Sequence, residues 1–200
     1  TPIHEEALQM ALRGYQLLML QGQISDSSRL IIADFSLGSH QERLFIINVQ
    51  ERVLEYISLV SHGKNTGFLK AESFSNEVSS YKSSLGFYLT AENYYGKHGL
   101  SLRLDGLEKG FNDKARERAI VIHSADYVSC SFIEKHGRLG RSHGCPALPV
   151  ENYKEVISRI KEGSLLFIYA PDEEYKSKSA LIHQSNTFAM RGSTEVVPVN

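Results

Sequence analysis

Short runs of β-branched and aromatic residues, separated by turn-forming residues, restrict the fold of this 200-residue chain more than any other feature. Such runs are typical of β-strands, and the Gly, Ser and Asn residues between them are typical of turns. The predicted strands cover residues 30–35, 44–49, 53–60, 86–90, 101–104, 119–123 and 165–169. The second and third runs are joined by Gln50-Glu51-Arg52 and predict a hairpin. We therefore predict a mainly antiparallel sheet.

Helical periodicity flanks these runs. In residues 4–21 the apolar side chains recur at helical spacing, and Gly22 follows the last of them. This pattern predicts an amphipathic helix that packs against the domain. Residues 150–161 show a second apolar face before Gly163, and residues 111–118 predict a short charged helix. The expected fold class is α+β, mainly β.

One compact domain is expected, because 200 residues of which 42% are hydrophobic suffice to bury a sizeable core. We predict an N-terminal helix in residues 1–28 that packs on a catalytic domain of residues 29–170. Residues 171–200 are predicted to form a polar C-terminal tail.

The charge balance argues against a polyanionic partner. Lys and Arg number 22 against 23 Asp and Glu, which gives a formal net charge of −1. We therefore expect no binding to nucleic acid. No apolar run reaches the length of a membrane-spanning helix. Because Thr1 rather than Met opens the chain, we expect that an upstream segment was removed.

The chain contains two cysteines, Cys130 and Cys145, so that at most one disulfide is possible. Two free thiols are equally compatible with this number. Cys130 is interpreted as a small residue that is buried or partly buried. Cys145 lies in a different setting, next to Gly144 in a turn-like segment.

The chemically informative residues form two short segments. Ile120-Val121-Ile122 leads into His123 at a predicted strand end, and Ser142-His143-Gly144-Cys145 follows later in the chain. Gly144 permits unusual backbone angles, so that neighbouring N–H groups can converge on one point beside the thiol. An imidazole near a thiol favours the thiolate, and converging N–H groups are what an acyl-transfer oxyanion needs. The pair Cys145 and His123 is therefore predicted to perform nucleophilic catalysis.

A zinc site is the alternative for the same residue types. Its ligands would come from His123, Cys130, His136, His143 and Cys145. No pair among them has the spacing usual for zinc ligands, so we predict no metal. A papain-like protease is set aside because its cysteine would precede its histidine in the chain.

The two segments also resemble a known family. Ile122-His123-Ser124-Ala125 followed by Ser142-His143-Gly144-Cys145 is similar to the motif of the YkuD-type L,D-transpeptidases. Further segments resemble the branch of murein L,D-transpeptidase catalytic-domain-like proteins. These are Tyr94-Tyr95-Gly96-Lys97-His98-Gly99, residues 101–108, residues 137–142 and Cys145-Pro146-Ala147-Leu148-Pro149.

This resemblance implies a β-sandwich-like catalytic domain that transfers acyl groups on peptidoglycan stem peptides. Cys145 would attack the carbonyl that precedes a terminal D-alanine. His123 would accept the thiol proton, and the Ser124 backbone carbonyl would orient the imidazole. The N–H groups of Gly144 and Cys145, with the His143 side chain nearby, would bind the oxyanion. No cofactor is implied.

The chain departs from the main family pattern at Ala147, where Arg or Asn is often found. Stem peptides carry carboxylates, which favour guanidinium and ammonium groups as substitutes for that polar contact. The candidate substrate-binding residues are Arg141, Arg103, Arg138, Lys97, Tyr95 and Ser142.

Three functions stay open from the sequence. A transpeptidase would pass the acyl group to an amine of another stem and form 3-3 cross-links, whereas an L,D-carboxypeptidase would pass it to water. A non-catalytic peptidoglycan-binding module is the third, motivated by Ala147. For the enzymes, the resemblance implies export to the periplasm or cell envelope and a covalent adduct of Cys145 with carbapenems.

Overall fold

The computed structural model describes residues 3–97, 99–160 and 162–192. Its helices are α1 (Glu5–Leu20), α2 (Cys130–His136), α3 (Tyr153–Arg159), α4 (Glu173–Lys178) and α5 (Ala180–Gly192). Its strands are β1 (Arg29–Asp34), β2 (Leu44–Asn48), β3 (Val53–Ser58), β4 (Gly86–Gly96), β5 (Gly99–Gly106), β6 (Val121–Ser124), β7 (Ala147–Leu148) and β8 (Leu165–Tyr169).

The strands form an eight-stranded sheet in the order β3-β2-β1-β8-β4-β5-β6-β7. Only two of these pairings are parallel, β1 with β8 and β6 with β7. All five residues of β8 are buried, which explains why this strand is a continuous apolar run rather than an alternating one. The predicted class, α+β and mainly β with a largely antiparallel sheet, is confirmed.

Two hairpins build the antiparallel part. The predicted hairpin of β2 and β3 is confirmed, with Leu44 opposite Ser58 and Asn48 opposite Val53. The second hairpin, β4 with β5, extends beyond the predicted strands, and its register shifts between Thr90 and Asn93. Its outer half carries exposed polar residues, which gave no hydrophobic signal for a strand in the sequence.

The two ends of the described chain lie together. α1 packs against β1, β8 and α5 and buries Ala7, Ala11 and Leu18 completely. In the segment predicted as a polar tail, the described residues form α4 and α5. Tyr175 of α4 is fully buried and donates a hydrogen bond of 2.8 Å to the Glu108 carboxylate. Residues 193–200 of that predicted tail lie outside the described residues.

The structure corrects two sequence-based expectations. Residues 111–118 form consecutive turns rather than a helix, with the N–H groups of both Asn112 and Asp113 directed to the Glu108 carbonyl. Cys130 is exposed rather than buried, because it begins α2, a helix that buries none of its side chains. Within the described ranges, no helix has the length and apolarity needed to cross a membrane.

Candidate active site

Pairing of β6 with β7 places the segment that carries the predicted nucleophile beside the strand that carries the predicted base. His123 is registered with Ala147, and Cys145 comes two residues before that position. The Cys145 Sγ lies 3.7 Å from the Ala119 carbonyl oxygen, and the Val121 N–H is close enough to act on the pKa of the same thiol. Since alternate residues of a strand share a face, Val121 and His123 project to the same side of β6. The thiol therefore lies alongside the strand that carries His123.

The His123 imidazole has a fixed orientation. It is almost fully buried, and its Nδ1 lies 2.8 Å from the Ser124 backbone carbonyl oxygen. A carbonyl only accepts hydrogen bonds, so Nδ1 carries the hydrogen and Nε2 is the basic nitrogen. This tautomer is the one that can take a proton from a thiol.

Ser142 shapes the loop before the predicted nucleophile, Cys145. Its hydroxyl donates to the Cys145 carbonyl at 2.6 Å and accepts the Gly144 N–H at 3.0 Å. The Gly144 N–H, expected to bind an oxyanion, is thus engaged within the loop. Among the described hydrogen bonds, none directs the Cys145 N–H to an acceptor on another residue, so this N–H is the remaining backbone donor of the expected pair.

Gly144 itself requires an unusual backbone. Its φ is 125°, a value that side-chain-bearing residues rarely adopt. A Cβ at this position would lie 2.7 Å from the Lys82 carbonyl oxygen. The loop can therefore approach residue 82 this closely only because a glycine precedes Cys145.

A distant segment, residues 61–64, frames the loop through its backbone. The Ser61 N–H donates to the Ala147 carbonyl at 2.9 Å, and the Lys64 N–H donates to the Ser142 carbonyl at 2.8 Å. The Ser142 N–H in turn donates to the His62 carbonyl at 3.0 Å. These bonds fix residues on both sides of Cys145.

Ser83 completes the frame and was missed in the sequence. Its hydroxyl donates to the Gly144 carbonyl at 3.2 Å and accepts the Gly63 N–H at 3.0 Å. Its own N–H donates to the Thr66 hydroxyl at 2.7 Å. A serine in a serine-rich loop carries no sequence signal for such a role.

The electrostatics of the thiol reflect burial opposed by specific contacts. Burial raises the pKa of Cys145, while the Val121 N–H and the Arg118 guanidinium act to lower it. Tyr127 is also near, since burial and then the charge of Cys145 raise the pKa of its phenol to about 12. Neither Arg118 nor Tyr127 was predicted as a site residue.

Two of the predicted arginines lie around Phe68, which is 62% exposed. Arg141 donates to the carbonyls of Lys64 and Gly67, both at 3.0 Å, and Arg138 lies 4.2 Å from the centre of the Phe68 ring. Within the described part of the chain, neither arginine has an ion-pair partner, so the two positive charges are not neutralised by a carboxylate.

The remaining predicted substrate contacts belong to the β4–β5 hairpin. Arg103 pairs with Glu92 at 3.1 Å and lies over the Tyr94 ring at 4.4 Å. Tyr95 and Lys97 are exposed near the hairpin turn. In the described residues, no contact joins either of them to Cys145. The His143 side chain is exposed and packs against Tyr81, with ring centres 4.6 Å apart.

Cys130 and Cys145 are both free thiols. Among the residues that the structure describes, which exclude His98, no three His, Cys, Asp or Glu side chains are grouped as metal ligands. Ala147, the position at which the sequence departs from the main family, is fully buried in β7. A short side chain there cannot reach a substrate.

Comparisons with known proteins identify a family for this chain. The sequence model of the L,D-transpeptidase catalytic domain family matches residues 1–169, a range that includes α1. No curated protein sequence matches the chain significantly.

Solved L,D-transpeptidase structures are similar at low identity. An L,D-transpeptidase from Mycobacterium smegmatis is 14% identical, covers 72% of this chain and has a TM-score of 0.44. The L,D-transpeptidase LdtMt1 in complex with imipenem is 14% identical, covers 71% and has a TM-score of 0.44. Bd1075 from Bdellovibrio bacteriovorus is 17% identical, covers 86% and has a TM-score of 0.47.

This chain matches only 59% of the length of each of those three chains. The family assignment rests on the sequence model, which spans most of the chain. The protein belongs to the family of L,D-transpeptidase catalytic domains.

Proposed function

We propose that the protein is a peptidoglycan L,D-transpeptidase that works through a thioester on Cys145. The observation that carries this proposal is the parallel pairing of β6 with β7, which sets the segment of Cys145 beside the strand that carries His123. A thiol, a correctly oriented imidazole and a nearby backbone donor are the parts that nucleophilic acyl transfer requires.

The proposed reaction has two halves. His123 Nε2 takes the thiol proton while Sγ bonds to the carbonyl carbon that precedes the terminal D-alanine of a tetrapeptide stem. The bond from that carbon to the D-alanine nitrogen breaks, and His123 returns the proton to the leaving amine. An amine of a second stem then attacks the thioester, forms an amide 3-3 cross-link, and releases Cys145 as a thiol.

The charges around Phe68 suit a carboxylate-bearing substrate. Arg138 and Arg141 lack ion-pair partners within the described residues, and both lie over the exposed Phe68 ring. Arg141 is anchored to the carbonyls of Lys64 and Gly67, so its charge is held in place close to the Ser142–Cys145 loop. We assign this surface to the stem carboxylates. Arg103 is a weaker candidate, because Glu92 already partners it.

A non-catalytic binding module is the second candidate, and one observation favours it. The Gly144 N–H donates to Ser142 rather than pointing to a substrate, which leaves the oxyanion with one donor fewer from the backbone. An L,D-carboxypeptidase would share every step up to the thioester and differ only in its acceptor, water.

We also infer where in the cell the protein acts. A peptidoglycan substrate places the protein in the periplasm or cell envelope after export, and peptidoglycan stems are its partner. The chemistry described uses no cofactor. A carbapenem carries a strained acyl group that a reactive thiolate should open, so a covalent adduct on Cys145 is expected.

The test is incubation with a purified disaccharide-tetrapeptide, with D-alanine release and product mass followed together. Cys145→Ala should abolish release, whereas the matched variant Cys130→Ala should behave as the wild type. Release with a dimeric product supports the transpeptidase, and release with a tripeptide product identifies a carboxypeptidase. Binding of the muropeptide without release or an adduct would identify the binding module.

A further inference from the structure

Arg118 lies against the loop of residues 142–145. A Cβ on Gly144 would lie 3.3 Å from Arg118 Nη2, so the guanidinium is next to the residue that precedes the nucleophile. The chain reaches this position directly before β6, the strand that carries His123. Arg118 is half-buried, so water screens its charge less than that of a surface arginine.

Neutral groups hold the Arg118 guanidinium. It donates to the Ser75 carbonyl at 2.8 Å and to the Lys82 carbonyl at 2.5 Å. It also donates to the hydroxyls of Ser84 and Ser80. In the described part of the chain, no carboxylate forms an ion pair with Arg118. Glu77, a carboxylate whose charge acts on Arg118, is paired with Lys114 at 3.1 Å.

A fixed positive charge without a carboxylate partner can be neutralised by an anion that forms beside it. The group that becomes anionic here is the Cys145 thiol. The other ionisable groups around it are Tyr127, which is neutral, and His123, which lies two residues along β6 from Val121. Tyr88, also buried and neutral, is close enough to Arg118 to influence its charge.

We infer that Arg118 is a positioning residue of this site, whose charge stabilises the Cys145 thiolate and whose hydrogen bonds hold residues 75–84 against Gly144. The inference deepens the proposed function and rests on it for its biological meaning.

The direct test measures the reactivity of the thiol without peptidoglycan. In a Cys130→Ser background, iodoacetamide alkylation of Cys145 is followed by intact mass from pH 5 to pH 9. Arg118→Gln should raise the apparent pKa of alkylation by about one unit and slow the reaction at neutral pH about ten-fold. Arg118→Lys keeps the charge and should restore most of the wild-type profile.

Two controls separate charge from loop packing. Ser80→Ala and Ser84→Ala each remove one hydroxyl that accepts from the guanidinium but leave the charge in place, so both should keep the wild-type pH profile. An unchanged profile in Arg118→Gln would overturn the inference. So would equal shifts in Arg118→Gln and Arg118→Lys, or a comparable shift in either serine variant.

The test stays decisive if Arg118→Gln does not fold. Arg118→Met then serves as the neutral variant: a shift in Arg118→Met that Arg118→Lys does not show supports the role of charge, and an unchanged profile in Arg118→Met contradicts it. Failure of the proposed function would appear separately. The protein would then release no D-alanine, although Arg118→Gln would still raise the apparent pKa of Cys145 alkylation.

Discussion

Ser83 donates its hydroxyl to the carbonyl of Gly144 at 3.2 Å, although 61 positions separate the two residues in the chain. The same hydroxyl accepts the Gly63 N–H, so one side chain joins the 61–64 segment to the loop that precedes Cys145. Both backbone groups are buried, and their satisfaction depends on this serine.

Ser83→Ala should loosen the loop before Cys145. The change leaves a buried N–H and a buried carbonyl without this partner, at a cost of about 1–3 kcal/mol in the free energy of unfolding. Alkylation of Cys145 and D-alanine release should both fall. Ser158→Ala is the matched control, because its exposed hydroxyl bonds only within α3. Equal behaviour of the two variants in urea denaturation would contradict this role.

Gly144→Ala should be more damaging than a comparable change elsewhere. It combines a disfavoured positive φ with a Cβ only 2.7 Å from the Lys82 carbonyl. Gly110→Ala separates these causes, since Gly110 also has a positive φ but has no atom within 4 Å of the added Cβ. We expect a loss of about 1–2 kcal/mol for Gly110→Ala from backbone strain and a clearly larger loss for Gly144→Ala. Thermal and urea unfolding of both variants provide the comparison.

His62 should make the fold sensitive to acid. Its Nδ1 lies 2.8 Å from Arg43 Nη2 and its Nε2 lies 3.3 Å from the Gly67 carbonyl. Burial, and then the charge of Arg43, lower the pKa of His62 from 6.5 to about 3, with smaller contributions from Arg141 and Arg138. Between pH 6.5 and about pH 3, His62 is therefore protonated in the unfolded chain but neutral in the folded chain.

The free energy of unfolding should therefore decrease as the pH falls. Stabilisation from neutral His62 is complete above pH 6.5 and is lost as the pH falls towards the folded pKa of about 3. Between pH 6.5 and pH 4 the loss should be on the order of 3 kcal/mol. His62→Asn should be less stable at pH 7 but show a flatter pH dependence, whereas the exposed control His136→Gln should keep the wild-type slope. A wild-type slope in His62→Asn would disprove the assignment.

Glu108 should have the opposite effect on the pH dependence of stability, because its ionisation destabilises the fold as the pH rises. Its carboxylate accepts hydrogen bonds from the Phe87 N–H at 2.8 Å, from the Tyr175 hydroxyl at 2.8 Å, and from the Ser179 hydroxyl. Burial nevertheless raises the pKa of Glu108 above 4.5. The folded state thus retains a proton that the unfolded state releases, and stability falls as the pH rises through the folded pKa.

Glu108→Gln keeps the shape of the side chain and removes the titration. Relative to this variant, the wild type should lose stability as the pH rises above 4.5, as measured by urea denaturation across that range. Glu117→Gln, at an exposed position, should track the wild type at every pH. Parallel curves for the wild type and Glu108→Gln would show that Glu108 does not titrate in this window.

Local patterns in the sequence determined most of the secondary structure. Apolar periodicity was sufficient for α1 and α3, and β-branched runs were sufficient for β1, β2, β3 and β8, because a buried face leaves its period in the residues that form it. The helix predicted over residues 111–118 is wrong, because charged residues suit a turn as well as a helix. The N–H groups of Asn112 and Asp113 share the Glu108 carbonyl in consecutive turns. The two-residue strand β7 was too short to leave a pattern.

The sequence by itself was sufficient to predict the chemistry that we propose, because Cys145 and His123 occur in segments whose residue types suit that chemistry locally. The tertiary structure alone decided what surrounds the thiol. Contacts between distant parts of the chain bring Ser83, Arg118 and the 61–64 segment to the loop beside it. Folding also anchors Arg141 on backbone carbonyls and leaves Cys130 exposed. No local pattern records such contacts, since they depend on which distant backbone groups packing brings within hydrogen-bond distance.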